Sequence, residues 1–212
     1  MQARQVLLLT MNNLSDANLM PEARESAEDF EEQGLIRRCQ AGDVKAFEQV
    51  VRRYQTQVYN IAYGMLGNVD DAQDLTQDVF AIVWQKIGQF QFKARFSTWL
   101  YRITTNLSLN EKNRQGRRQT IPVEIDDTQA WTPIDTNTPE KMALLAEQRQ
   151  LLQSALAKLK SKHRQILVLR EMEDLSYEEL SEVLGCSVGR VKSRLFEARM
   201  ALRRILQQKD GY

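Results

Sequence analysis

The chain has 212 residues, a net charge of +1, 42% hydrophobic and 27% charged residues, which fits a globular protein with one or two cores and excludes a collagenous or wholly disordered one. Apolar runs such as Val6 to Leu9 are far too short to cross a bilayer, and no signal-peptide pattern opens the chain, so cytoplasmic residence without membrane insertion is expected. Cys39 and Cys186 have no neighbouring His or Cys, and the single His163 has no adjacent acidic residue or cysteine, so no metal, no cofactor and no catalytic residue is expected, and the chain does not read as an enzyme.

Near-neutral charge hides segregation. Asp70, Asp71, Asp74 and Asp78 form an acidic block, followed by basic Lys93, Arg95, Arg102, Lys112, Arg114, Arg117 and Arg118. Glu124, Asp126, Asp127 and Asp135 are acidic again. Glu171 to Glu182 is acidic, and Arg190 to Arg204 is basic. Blocks of this kind suggest separate surfaces for separate partners.

In chain order, residues 1–29 read as an N-terminal extension, disordered or partly helical. Residues 30–115 are helical throughout. Leu35, Ile36 and Cys39 give a short helix ending at Ala41-Gly42. Asp43 caps the next, with Phe47, Val50, Tyr54, Val58, Ile61 and Met65 at three-four spacing and Gly67 just past its end. Asp70 is expected to cap a third helix, with Leu75, Val79, Ile82 and Val83 inward and Gly88 breaking it. Gln89 to Phe96 reads as a loop, and Ser97 is expected to cap a fourth helix reaching about Asn113, with Leu100, Ile103 and Leu107 inward. Gly116, Pro122 and Pro133 mark a flexible linker over 116–138, and Thr138-Pro139-Glu140 restarts a helix. The fold expected is all-α: two small helical domains, at 30–115 and 139–209, joined by that linker.

The second domain carries a helix-turn-helix from about Leu175 to Arg204. Ser176 and Glu179 form a capping box, Leu175 and Leu180 a hydrophobic staple, and Gly185 ends the first helix. Ser187 caps the second helix only three residues after Leu184, a turn short enough to hold two helices at a steep angle. Val188, Val191, Leu195, Ala198, Leu202 and Ile205 form its buried stripe. The opposite side presents Gly189, Arg190, Lys192, Ser193, Arg194, Phe196 and Arg199. A recognition helix offers its first residues to the major groove: Arg190 and Lys192 can donate to guanine, Ser193 or Arg194 can reach phosphate, and Phe196 can meet a thymine methyl.

The first domain holds a different signal. Phe90, Phe92, Phe96, Trp99 and Tyr101 are interleaved with Lys93, Arg95, Arg102, Asn106 and Asn110. Aromatic faces for unpaired bases beside cations for the backbone suit single-stranded DNA. Phe96 and Trp99 can equally be core residues.

Three segments resemble the sigma-70-type RNA polymerase initiation factors of the extracytoplasmic-function (ECF) group. Asp71-Ala72-Gln73-Asp74-Leu75-Thr76-Gln77-Asp78-Val79-Phe80 is similar to the family's region 2.2, and Phe96-Ser97-Thr98-Trp99-Leu100-Tyr101-Arg102-Ile103 to regions 2.3 and 2.4. Leu175 to Arg199 resembles region 4.2, and the likeness spans about 31–207. The resemblance implies a promoter-specificity subunit whose Asp71, Asp74, Gln77 and Asp78 dock on the clamp helices of the largest subunit of core RNA polymerase. It implies that Phe92, Lys93, Arg95, Phe96, Trp99, Arg102 and Asn106 melt the minus-10 element of promoter DNA. Ser187, Gly189, Arg190, Lys192, Ser193, Arg194 and Phe196 would then read the minus-35 duplex, and an anti-sigma factor would be a further partner. Asn110 and Glu197 depart from the acidic and basic residues common at those places in the family. The competing reading is a stand-alone helix-turn-helix regulator, which leaves the aromatic-basic cluster and the Asp70 to Asp78 block unused.

Overall fold

A computed structural model describes the backbone over residues 22–118 and 150–209 and the side chains over 29–115 and 150–208. All regular structure among the described residues is helical. Most of the expected linker and the helix restart at Thr138-Pro139-Glu140 lie outside the described residues, as does most of the N-terminal extension.

Helix α1 (Glu22–Gln40) begins inside that extension, well before Leu35. Its Arg38 donates to Asp43 Oδ2 at 2.7 Å, while Asp43 Oδ1 accepts from the Ala46 amide at 3.0 Å and so caps α2 (Val44–Leu66). The amide and the guanidinium hold the Asp43 carboxyl below its usual range. Gly67, at φ 81°, closes α2 in the left-handed region with its N–H on the Tyr63 carbonyl.

The cap of α3 (Val69–Lys86) is Asn68, not Asp70. Asn68 is extended and its Oδ1 accepts from the Asp71 amide at 3.0 Å, whereas Asp70 already lies within the first turn, where its charge meets the helix dipole. The helix closes at Lys86, and Gly88 falls in a 3-10 turn, Ile87–Gln89. Gln40 Nε2 ties that turn to α1 by donating to the Ile87 and Phe90 carbonyls at 2.9 and 2.8 Å. Helix α4 (Phe96–Arg118) opens one residue ahead of Ser97 and runs past Asn113. The Trp99 amide donates to the Arg95 carbonyl at 3.2 Å, so Ser97 sits inside the first turn and is not the cap.

After the gap, α5 covers 150–157 and α6 spans Ser161–Leu167. The latter continues into a π-helical turn, Val168–Met172. Then come α7 (Tyr177–Leu184) and α8 (Val188–Lys209). The capping box at Ser176 forms as expected: Ser176 Oγ accepts from the Glu179 amide at 3.1 Å, and Glu179 Oε2 accepts from the Ser176 amide at 2.8 Å. Gly185 is left-handed at φ 60°.

Two apolar clusters hold these helices. One joins Ile36, Val50, Tyr54, Val58, Ala62, Leu75, Val79, Val83, Phe90, Phe96 and Leu100. The other gathers Leu156, Ile166, Leu169, Leu180, Val191 and Leu195, and it includes Ile61 and Met65 of α2. The two halves of the chain therefore share a core, which periodicity within each half did not reveal. Gly64, on the same side of α2, permits this approach. A Cβ built there would stand 2.8 Å from Val168 Cγ2 and 2.9 Å from Met172 Sδ, closer than real contacts allow.

Polar groups complete the junction. Arg164, 1% exposed, donates from Nε to the Leu156 carbonyl at 2.7 Å and from Nη1 to the Met65 carbonyl at 2.5 Å. The Met65 carbonyl belongs to the last turn of α2 and lacks a helical partner, so a cation there satisfies both the acceptor and the dipole. Lys112 donates to the same oxygen at 3.4 Å, and burial, with Arg164 nearby, brings its ammonium down to about 8. Arg164→Ala strands two buried carbonyls, and a stability loss of about 3 kcal/mol is expected from urea unfolding.

Glu173 follows the π turn. Burial raises its carboxyl to about 7, with Asp174 adding to the rise and a hydrogen bond to Asn60 of α2 opposing it. The ordinary value is 4.5, so its contribution to stability is complete below that value and is lost as pH rises through about 7. The wild-type urea midpoint should fall between about pH 5 and about pH 8, and Glu173→Gln should flatten that slope.

Candidate nucleic-acid interface

The recognition surface of the helix-turn-helix starts at its turn. Ser187 Oγ accepts weakly from the Arg190 amide at 3.4 Å, and Ser193 Oγ donates to the Gly189 carbonyl at 3.1 Å. Val191, Leu195 and Ala198 are buried, which rotates Gly189, Arg190, Lys192 and Ser193 outward into solvent, with Arg194 half-buried beside them. Phe196 is 68% exposed on the same helix. Lys192 Nζ lies 5.6 Å from the Tyr177 ring centroid, and Arg170 lies 5.3 Å from it, so α7 steadies one edge of the basic face. Ser187, Gly189, Arg190, Lys192, Ser193, Arg194 and Phe196 thus share one surface.

The aromatic-basic cluster divides. Phe96 is buried at 2% exposure among Tyr54, Phe90 and Trp99, with centroids 5.6 Å apart in each pair. Its ring is core and gives no free stacking face. Trp99 is half-buried against Phe90 and Phe96. Phe92 packs on Phe90 at 4.9 Å and carries the Arg37 guanidinium 4.7 Å from its centroid. At φ 57° Phe92 has a backbone that bulky side chains rarely adopt, and Lys93 and Arg95 just after it are exposed. Lys93, Arg95, Arg102 and Asn106 are exposed. A cleft opens between the loop and α1, with Phe92, Lys93 and Phe96 on one wall and Asp29, Glu32 and Gln33 on the other. The α1 residues were missed from sequence, because nothing local to them signals a site.

Two of these cations already have acidic neighbours in the second half of the chain. Arg95 pairs with Glu179 Oε1 at 3.4 Å and with Asp29 at 3.5 Å. Arg102 donates to the Glu182 carbonyl at the end of α7. The third expected group lies elsewhere: Asp74, Gln77 and Asp78 are exposed on α3 while Leu75, Val79 and Phe80 are buried beneath. Asp71 accepts from Gln115 Nε2 of α4 at 3.0 Å, so it is partly engaged within the protein. Among the described residues no cluster of His, Cys, Asp and Glu could hold a metal ion, and no helix is long and apolar enough to cross a membrane.

Comparison with known proteins accounts for this division. Residues 50–118 match the family Sigma-70 region 2, and residues 149–202 match Sigma-70, region 4. The chain is 34% identical over 177 residues to the ECF RNA polymerase sigma factor SigW of Bacillus subtilis (strain 168), across 81% of this chain and 95% of that one. It is 33% identical over 181 residues to the ECF RNA polymerase sigma-E factor of Escherichia coli (strain K12), across 83% and 94%. Its fold resembles that of the sigma factor RpoE in complex with the anti-sigma factor NepR from Bartonella quintana. The TM-score is 0.60 at 26% identity, over 77% of this chain and 98% of that one.

A region 2 and a region 4 in that order are the two parts of a sigma-70-type factor. The chain belongs to the extracytoplasmic-function group of RNA polymerase sigma factors.

Core and surface aromatics should separate on mutation. Phe96→Ala is expected to cost about 3–5 kcal/mol in urea unfolding, as a buried ring does. Phe196→Ala should change stability by less than about 0.5 kcal/mol.

Proposed function

We propose that the chain binds core RNA polymerase and directs promoter-specific initiation, with its two halves reading two promoter elements. The observation that carries this reading is one chain holding both a helix-turn-helix with an outward basic face and an aromatic loop on which Lys93 and Arg95 are exposed. Duplex recognition needs only the first. A second surface with aromatic and basic residues suits a strand whose bases are unpaired.

In this reading Ser187, Gly189, Arg190, Lys192, Ser193, Arg194 and Phe196 contact the minus-35 duplex. Arg190 and Lys192 donate to base edges in the major groove, while Ser193 and Arg194 hold phosphates. Phe92, Lys93, Arg95, Trp99, Arg102 and Asn106 open and hold the minus-10 element. Phe96 acts differently from the expectation: buried beneath Trp99, it sets the loop from behind rather than stacking on a base. Asp74, Gln77 and Asp78, with Asp71 at their edge, offer an acidic helix face over an apolar base. That arrangement suits the basic clamp helices of the largest polymerase subunit.

A net charge of +1 leaves little to hold free DNA, because few phosphates are neutralised. Polymerase supplies the missing affinity by placing both halves on the promoter at once, as any bivalent tether does. The site of action is the cytoplasm, where polymerase and chromosome are, and the chain performs no chemistry of its own. The related structure in complex with an anti-sigma factor supports a similar partner here.

Run-off transcription with core polymerase tests the assignment: specific initiation should require this chain. Arg190→Ala or Lys192→Ala should lower it about tenfold at a cognate promoter, the loss of one base contact, and leave polymerase binding intact. Asp74→Lys with Asp78→Lys should instead abolish holoenzyme on a native gel. Tight binding to a palindrome without polymerase would establish the stand-alone regulator.

A further inference from the structure

We propose that Lys112 is a site of covalent acylation, its side-chain amine taking the acyl group of a small acyl phosphate. None of the promoter or polymerase contacts proposed above uses this residue, so the two readings stand or fall apart.

Lys112 lies on α4, and its Nζ donates to the Met65 carbonyl in the last turn of α2 at 3.4 Å. That oxygen is already taken, because Arg164 Nη1 holds it at 2.5 Å. The lysine is left with the longer and weaker bond of the two. Arg164 is 1% exposed, its Nε bonds a second carbonyl at 2.7 Å, and its Nη2 has no hydrogen-bond partner among the described residues. No carboxylate among the described residues pairs with either cation. Two positive charges therefore meet in a sheltered place with only carbonyl dipoles to balance them. An arginine keeps its proton in such surroundings, whereas a lysine gives its proton up readily.

Burial, with the Arg164 charge adding to it, brings the Lys112 ammonium down from 10.5 to about 8. Desolvation beside a second cation is a general way to make a lysine nucleophilic. At pH 7.5 roughly a quarter of such amines are free, against roughly one in a thousand for an ordinary lysine. Lys112 is only half-buried, so a reagent as small as acetyl phosphate can reach it.

In the step itself the Nζ lone pair attacks the carbonyl carbon of the acyl phosphate, and an N–C bond forms. The C–O bond to phosphorus's oxygen breaks, inorganic phosphate leaves with the electron pair, and the surplus proton on nitrogen passes to water. The product amide is neutral and keeps one N–H, which can still donate to the Met65 carbonyl. Acylation thus removes the like charge beside Arg164 without stranding an acceptor.

Incubation of the full chain with acetyl phosphate at pH 7.5, followed lysine by lysine with mass spectrometry, tests the proposal. Lys112 should be acetylated at least about tenfold faster than the exposed Lys45 and Lys86, a conservative share of its surplus of free amine. Its rate should level off above about pH 8. In the guanidinium-unfolded chain its lead should vanish, a comparison that needs no variant to fold. A folded chain in which Lys112 reacts no faster than Lys45 overturns the proposal. So does a lead that persists after unfolding, since local sequence and not the pairing with Arg164 would then be its cause. A Lys112 rate still climbing steeply at pH 9 likewise overturns it.

Discussion

Helix α2 is apolar on two sides over its last turns, and in this arrangement both sides are taken out of water. Val58 and Ala62 lie in one cluster, and Ile61 and Met65 in the other, only one to three residues apart along the chain. Everything else in the arrangement follows from covering the second side. Gly64 gives up its side chain so that the π turn can sit against the backbone, and Arg164 fills the hydrogen-bonding gap at the end of the helix. The Met65 carbonyl becomes the meeting point of both halves, with two cations converging on one oxygen. Burial, with the Arg164 charge adding to it, weakens the Lys112 ammonium there.

The alternation of charge along the chain acquires a spatial meaning from the same junction. Acidic Glu171 to Glu182 is not merely a solvated surface. Glu171 Oε1 accepts from Arg199 Nη2 at 2.8 Å within region 4, and Glu179 faces Arg95 in region 2. On acidic α3, Asp71 is held by Gln115, while Asp74 and Asp78 are exposed. A chain with almost no net charge can therefore present a basic helix face, a basic loop and an acidic helix face at the same time.

Much of this was legible in the residues because it depends on short-range rules. The capping box at Ser176, the left-handed glycines Gly67 and Gly185, and the buried stripe of Val191, Leu195 and Ala198 all follow from neighbours within one or two turns. The two misplaced caps fail for the same local reason: an Asn or an arginine carbonyl just upstream was already in position to accept the amide, so the acidic or hydroxyl residue that looked better arrived too late. What could not be read was anything crossing the linker. Ile61 and Met65 fit the same periodicity as their neighbours and gave no sign of a different home. Phe96 looked like a stacking platform because sequence shows that a ring is present but not which face is covered. Arg164, set among Lys160, Lys162 and His163, has nothing in its local sequence to mark it as buried, although it is among the most deeply buried side chains described.

The π-helical turn at Val168–Met172 carries one more consequence. A π turn holds an extra residue relative to an α-helix of the same course, and each residue of an α-helix turns the chain by about 100° around its axis. The direction in which α7 and α8 leave α6 is therefore set by a single surplus residue. Deleting one position between 168 and 172 would straighten the turn and swing the whole helix-turn-helix about a quarter of a revolution, with every residue of its basic face unchanged. The aim of the recognition helix, as distinct from its chemistry, is written in the count of residues there, so a change of length could re-orient the reader where no substitution on its surface could.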